Sequence, residues 1–108
     1  MSEDRPLLET MVEMTEASIK HSNLNDRDLM LVRFASLAAV GAPPASYLLN
    51  LAAGADVGLT LEDAQGVLIA VTPIIGTPRA MAAVGAVAQA LGIAIELDDQ
   101  VAATAKSK

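Results

Sequence analysis

Few side chains in this chain can do chemistry, and they are widely spaced. Arg79 is the single basic residue between Arg33 and Lys106. A guanidinium in that position can anchor a ligand carboxylate through two parallel hydrogen bonds. Equally, it can pair with Glu62, Asp63 or a neighbouring subunit, because buried arginine is almost always paired. Tyr47 and Asn50 stand three apart and share one face of a helix. They can form a small polar site, with the Tyr47 phenol as proton donor, or satisfy one another inside an interface. Ser46 lies beside them. His21, the only histidine, falls at the end of the first helix, where the dipole favours a cation in water. Cysteine is absent, which removes disulfides, a thiolate nucleophile and any zinc–thiolate site. The candidate ligand-binding set is therefore Tyr47, Asn50 and Arg79, with no catalytic residue, no metal site and no cofactor expected.

Charge distribution says more about assembly than about reaction. From Phe34 to Ile95 the chain carries only four charged residues, Asp56, Glu62, Asp63 and Arg79. So few charges do not give every helix a solvated face if the chain stays alone. Extended apolar patches on proteins in water mark interfaces, and permanent homo-oligomer interfaces resemble a core cut in half. A homo-oligomer is expected. The net charge of −6 argues against nucleic acid as a partner, since phosphate neutralisation dominates that affinity. A membrane partner is not expected either. The charge-free run from Phe34 to Ala55 is broken by Gly41, Pro43, Pro44, Asn50 and Gly54, and Pro73 interrupts the run that follows. The acidic opening Met-Ser-Glu-Asp does not resemble a signal peptide, so a cytoplasmic location is expected.

The elements that would position these residues are helices. Asp4 and Pro6 open the first, which runs to about His21 with Leu7, Leu8, Met11, Val12, Thr15 and Ile19 at helical spacing. Asn25 or Asp26 caps a second, apolar nearly all round, ended by Gly41. Pro43-Pro44 turn the chain into a third helix, to about Ala53. Thr60 with Asp63 three positions on forms a variant capping box for a fourth, with Pro73 near its end. Gly76-Thr77-Pro78 is a stop-and-start signal for a fifth, expected to end at Gly92. Residues 93–96 are expected to be extended or coil, and the small polar run 101–108 disordered. The predicted organisation is an N-terminal helix (1–22) packing on the core or on a neighbouring subunit, a helical core (24–96) and a tail (97–108).

Three stretches carry a family resemblance. Asn25-Asp26-Arg27-Asp28-Leu29-Met30-Leu31-Val32-Arg33 looks like the start of a core helix. Gly58-Leu59-Thr60-Leu61-Glu62-Asp63 with Ala64-Gln65-Gly66-Val67-Leu68 looks like a loop and helix. Gly76-Thr77-Pro78-Arg79-Ala80 looks like the closure. Their order and spacing resemble the carboxymuconolactone decarboxylase and alkylhydroperoxidase D superfamily across residues 24–91. That resemblance implies an all-α fold and assembly as a dimer, trimer or hexamer. In the redox branch of the superfamily a Glu, a C-x-x-C pair and a His do the chemistry: one sulfur attacks and the other resolves. Aligned on Gly41, the Glu falls at Met30, the cysteines at Ala42 and Ala45, and the His at Leu49. None of these can ionise or attack, so thiol peroxidase chemistry is excluded.

The expectation is an all-α, oligomeric bundle of about five helices. The resemblance implies a catalytically silent member acting as a structural or small-ligand-binding module. The alternative is a thiol-independent decarboxylase, lyase or isomerase on a small carboxylated substrate, held by Arg79 and protonated by Tyr47.

Overall fold

The starts of α2 and α4 and the turn from α2 into α3 follow from cap chemistry local to them. The computed structural model describes the backbone of residues 5–106, with side chains at 97, 98, 101, 102 and 104–106 outside that description. The cap assigned to Asp4 also lies outside it. Five helices follow in order: α1 (Arg5–His21), α2 (Asp26–Val40), α3 (Pro44–Asp56), α4 (Leu61–Ile75) and α5 (Thr77–Lys106). The Asn25 side chain accepts from the Asp28 amide at 2.8 Å and so starts α2. Gly41, at φ 70°, adopts the left-handed conformation that lets its amide and that of Ala42 reach back to Ala38 and Leu37. Pro43 is extended and Pro44 occupies the first turn of α3, where its missing N–H removes nothing. Pro73 lies inside α4 without ending it, and the helix continues to Ile75.

The core is a seam of small residues around two rings. Phe34 and Ala38 of α2, Tyr47 of α3, and Ala83 and Ala90 of α5 form the buried cluster. Phe34 and Tyr47 meet edge to face, with centroids 5.7 Å apart at 74°. Alanines at these positions let α5 lie close against α2 and α3, so two aromatic rings suffice to fill the middle. α2 and α4 run in one direction and α3 and α5 in the other, giving an up-and-down bundle of four helices. The stretch Thr77–Glu96 of α5 is long and apolar enough to cross a membrane, but it is the helix on which the other three pack.

α5 departs from expectation. It passes through Gly92, across residues 93–96 and on to Lys106, where an extended piece and a tail were predicted. Glycine inside a helix costs about 1 kcal/mol relative to alanine. The flanking alanines, leucines and isoleucines outweigh that here, and no proline follows to enforce a stop.

α1 is the second departure from a simple globule. It meets α2–α3 across an open groove rather than a packed seam, and none of its described residues is buried. Its stripe is open to water, with Leu7 61% exposed and Met11 54% exposed. A side-chain hydrogen bond from Arg33 Nη2 to Ser18 Oγ (3.1 Å) ties it to the bundle. The chain accordingly has a radius of gyration of 15.9 Å, against about 13 Å for a compact globule of 100 residues.

The starts of α2 and α4 are joined by an ion pair that the sequence did not announce. Arg27 donates to Asp63 through both guanidinium nitrogens, at 2.9 and 3.3 Å. Asp63 also accepts from the Thr60 amide at 2.9 Å, completing the predicted capping box. Its carboxyl is held at about 2, first by the Arg27 hydrogen bond and then by the Thr60 amide. Because the folded value lies below the ordinary 3.8, this group stabilises the fold above pH 4 and ceases to as pH falls through about 2. Thermal unfolding followed from pH 5 to pH 2 is expected to show a steeper loss for the wild type than for Asp63→Asn. Parallel curves for the two proteins would contradict this.

Candidate functional site

Among the described residues, a recess deep enough for a small molecule and a long open groove stand out. The recess lies at the end where α2 and α4 begin and α3 finishes. Its walls are Leu31 and Phe34 from α2, Asn50, Leu51, Gly54 and Ala55 from α3, Leu59, Thr60, Leu61 and Ala64 around the start of α4, and Leu91 of α5. It encloses about 200 Å³. Local sequence builds it directly. Gly54 is buried, and a Cβ there would come within 3.1 Å of Leu59 Cδ1, so glycine allows the 57–60 loop to fold down onto α3. The Leu59 amide then bonds the Gly54 carbonyl at 2.9 Å, closing the floor. None of the lining residues carries a charge. The Thr60 hydroxyl is already engaged with Asp63, donating to Oδ2 at 3.1 Å.

The groove runs between α1 and the α2–α3 face and has a volume of about 700 Å³. Met14, Thr15, Ser18 and Ile19 form one side. Met30, Arg33, Ser36, Leu37, Ser46, Leu49, Asn50 and Ala53 form the other. It contains Met30 and Leu49, two of the positions where a redox enzyme of the resembling superfamily would carry its Glu and His. Its walls hold no acid and no nucleophilic thiol. Arg33 is the ionisable group facing it, and that side chain is bonded to Ser18.

The three sequence-predicted residues are not brought together. Asn50 is half-buried and lines both the recess and the groove, with no hydrogen-bond partner for its side chain among the described residues. Tyr47 is wholly buried and lines neither; its hydroxyl finds no partner among the described residues. Burial pushes that phenol above its ordinary value. Tyr47 and Asn50 do not satisfy one another. Arg79 is exposed at the opposite end of the bundle, where it donates to the Ala39 carbonyl in the last turn of α2. Ala39 lies five residues beyond Phe34, the recess wall on α2 nearest to it, which puts the carbonyl that Arg79 bonds about 7.5 Å along the helix axis from the recess.

Arg79 thus has a structural explanation that differs from the one anticipated. It pairs with neither Glu62 nor Asp63. Its cation sits at the C-terminal end of α2, where carbonyls lack helical donors and the dipole favours positive charge. Arg79→Met is expected to cost about 0.5–1.5 kcal/mol, the worth of one such hydrogen bond. Chemical denaturation of the two proteins at equal concentration measures this. An unchanged midpoint would return Arg79 to the list of ligand anchors. The residues that sequence reasoning missed are the recess walls, above all Gly54, Leu59 and Ala64. The sequence signal for them is the pair Gly54 and Gly58, which bracket a short loop.

The chain matches no curated protein and no solved structure. It does match the profile of the carboxymuconolactone decarboxylase family over residues 5–89, from the first described residue to the middle of α5. That span takes in the three quoted stretches, the α1 stripe and most of the recess, and an all-helical bundle is the fold the match requires. The chain belongs to the carboxymuconolactone decarboxylase family.

Proposed function

We propose that this chain is a catalytically silent member of its family, working as a homo-oligomeric structural or small-ligand-binding module. The observation that carries the assembly is its surface. Large apolar side chains stand in water along the α1 stripe (Leu7, Leu8, Met11, Val12 and Ile19) and at Ile69 and Ile74 of α4 and Met81 of α5, each more than half exposed. Surface of this kind is what a specific interface between copies covers. On composition we extend the proposal to a cytoplasmic protein without nucleic-acid or membrane partners.

The silence rests on chemistry the chain does not possess. With no cysteine, the family's dithiol route has no atoms to run on. The rival is a thiol-independent lyase or isomerase acting on a small carboxylate. It is favoured by one fact, that Arg79 has no carboxylate partner among the described residues. It also needs Arg79 and Tyr47 in one cavity, and they share none. Light scattering at micromolar concentration is the test of assembly. A mass of two or more chains is expected, with a dimer, trimer or hexamer each compatible. A monomer at that concentration would remove the proposal.

A further inference from the structure

We infer that the recess at the α2–α3–α4 end is a binding site for a neutral, ring-sized molecule bearing one hydrogen-bonding group, and that it rejects carboxylates. This deepens the proposed module by naming the ligand class of one site, and it rests on that reading. Size sets the first limit. An apolar protein cavity of about 150 Å³ holds benzene, so about 200 Å³ admits a single ring with one or two small substituents. Charge sets the second. Leu31, Phe34, Leu51, Leu59, Leu61 and Leu91 surround the space without a cation. A carboxylate entering it would lose its hydration and meet no counter-charge, at a cost that no contact there offsets.

Polarity sets the third limit. Among the lining side chains, Asn50 has its amide unengaged, and Thr60 is committed to Asp63. A ligand hydroxyl or carbonyl placed beside Asn50 would gain a hydrogen-bond donor or acceptor. Pockets of this build, mostly apolar with one placed polar group, are the usual form of small-molecule sites.

Three probes of similar size decide the matter: phenol, toluene and benzoate, titrated into the full chain and followed by amide NMR. Phenol is expected to shift the backbone signals of Leu31, Gly54 and Leu61 saturably. Toluene should bind about fivefold more weakly, the equivalent of one ordinary hydrogen bond, and benzoate should leave those signals still. Asn50→Leu should erase the preference for phenol over toluene while keeping toluene binding. Ala64→Phe, which fills the recess from α4, should abolish both. The inference is overturned if neither neutral probe shifts these signals saturably. Benzoate binding as tightly as phenol overturns it too, as does an Ala64→Phe protein that is folded and binds phenol unchanged. A recess filled by a side chain of a second copy would give the first of these results. Light scattering on the same samples keeps the two proposals apart: an oligomer that ignores all three probes sinks the site alone, and a monomer that binds phenol sinks the assembly alone.

Discussion

Phe34→Ala is expected to lower the unfolding free energy by about 3–5 kcal/mol, the usual cost of deleting a buried aromatic ring. That is a large share of the total for a domain this size, which is roughly 5–15 kcal/mol. The reason lies in how little else fills the core. Phe34 is 3% exposed and meets Tyr47 edge to face, while the facing positions on α5 are alanines, whose single methyl groups cannot reach into a void. Its ring also forms part of the recess wall, so the substitution is expected to enlarge the recess. Tyr47→Phe makes the matching control, with the opposite sign. A buried hydroxyl without a partner costs about 1–3 kcal/mol, so removing it while keeping the ring is expected to stabilise the fold by about 1 kcal/mol. Denaturant titration at a fixed chain concentration, monitored by circular dichroism, reads both. A loss below about 1 kcal/mol for Phe34→Ala would mean the ring is not at the centre. Destabilisation by Tyr47→Phe would show that the phenol has a hydrogen-bond partner in the assembled protein.

These two aromatic residues also show how far the sequence could be read. Helix starts and stops were legible because cap chemistry is local. Asn25 before two aspartates, Gly41 before two prolines, and Thr60 three before Asp63 each satisfy orphan amides or carbonyls within a few residues. The helical class and the order of the elements follow from such signals. Gly92 was the failure of the same logic, since a glycine punctuates a helix only when its neighbours do not carry the backbone onward. Side-chain direction was harder. Tyr47 and Asn50 are helical neighbours, yet one turns into the α2–α5 seam and the other lines both the recess and the groove beside α1, because α3 packs on two partners. Contacts between distant residues were out of reach. Arg27 meets Asp63 and Arg79 meets the Ala39 carbonyl only because α2 and α4 begin at the same end and α5 begins where α2 finishes. That relation is a property of the bundle and belongs to no single stretch. The sparse charge between Phe34 and Ile95 is legible as exposed apolar surface, which the structure shows at Val40, Leu49, Ile69, Ile74 and Met81, while α1, outside that stretch, adds an exposed stripe of its own.

Placing two carboxylates in the α1 stripe, as Leu8→Asp with Met11→Asp, is expected to weaken self-association by about a thousandfold or more. Burying each of these side chains is worth about 1.5–3 kcal/mol, and an aspartate at the same place adds a desolvation cost. For the proposed assembly, α1 is the natural seat of an interface because none of its described residues is buried. It stands off the bundle, its stripe is exposed along its length, and the groove beside it is lined with Met30, Leu37 and Leu49. An amphipathic helix next to an apolar groove is the arrangement in which two copies can each offer a helix to the other. A symmetric pair of this kind satisfies both surfaces at once. Light scattering of the double variant at micromolar concentration should give the mass of one chain, with the bundle still helical by circular dichroism, since α1 contributes no buried residue to it. An unfolded variant would show instead that α1 folds back onto its own core in solution. An unchanged mass would move the interface to the exposed apolar side chains of α4 and α5, where Ile74 and Met81 stand on either side of the Gly76 turn. The assignment to α1 therefore stands on a single contrast: a change of two side chains that the isolated fold does not feel and the assembly does.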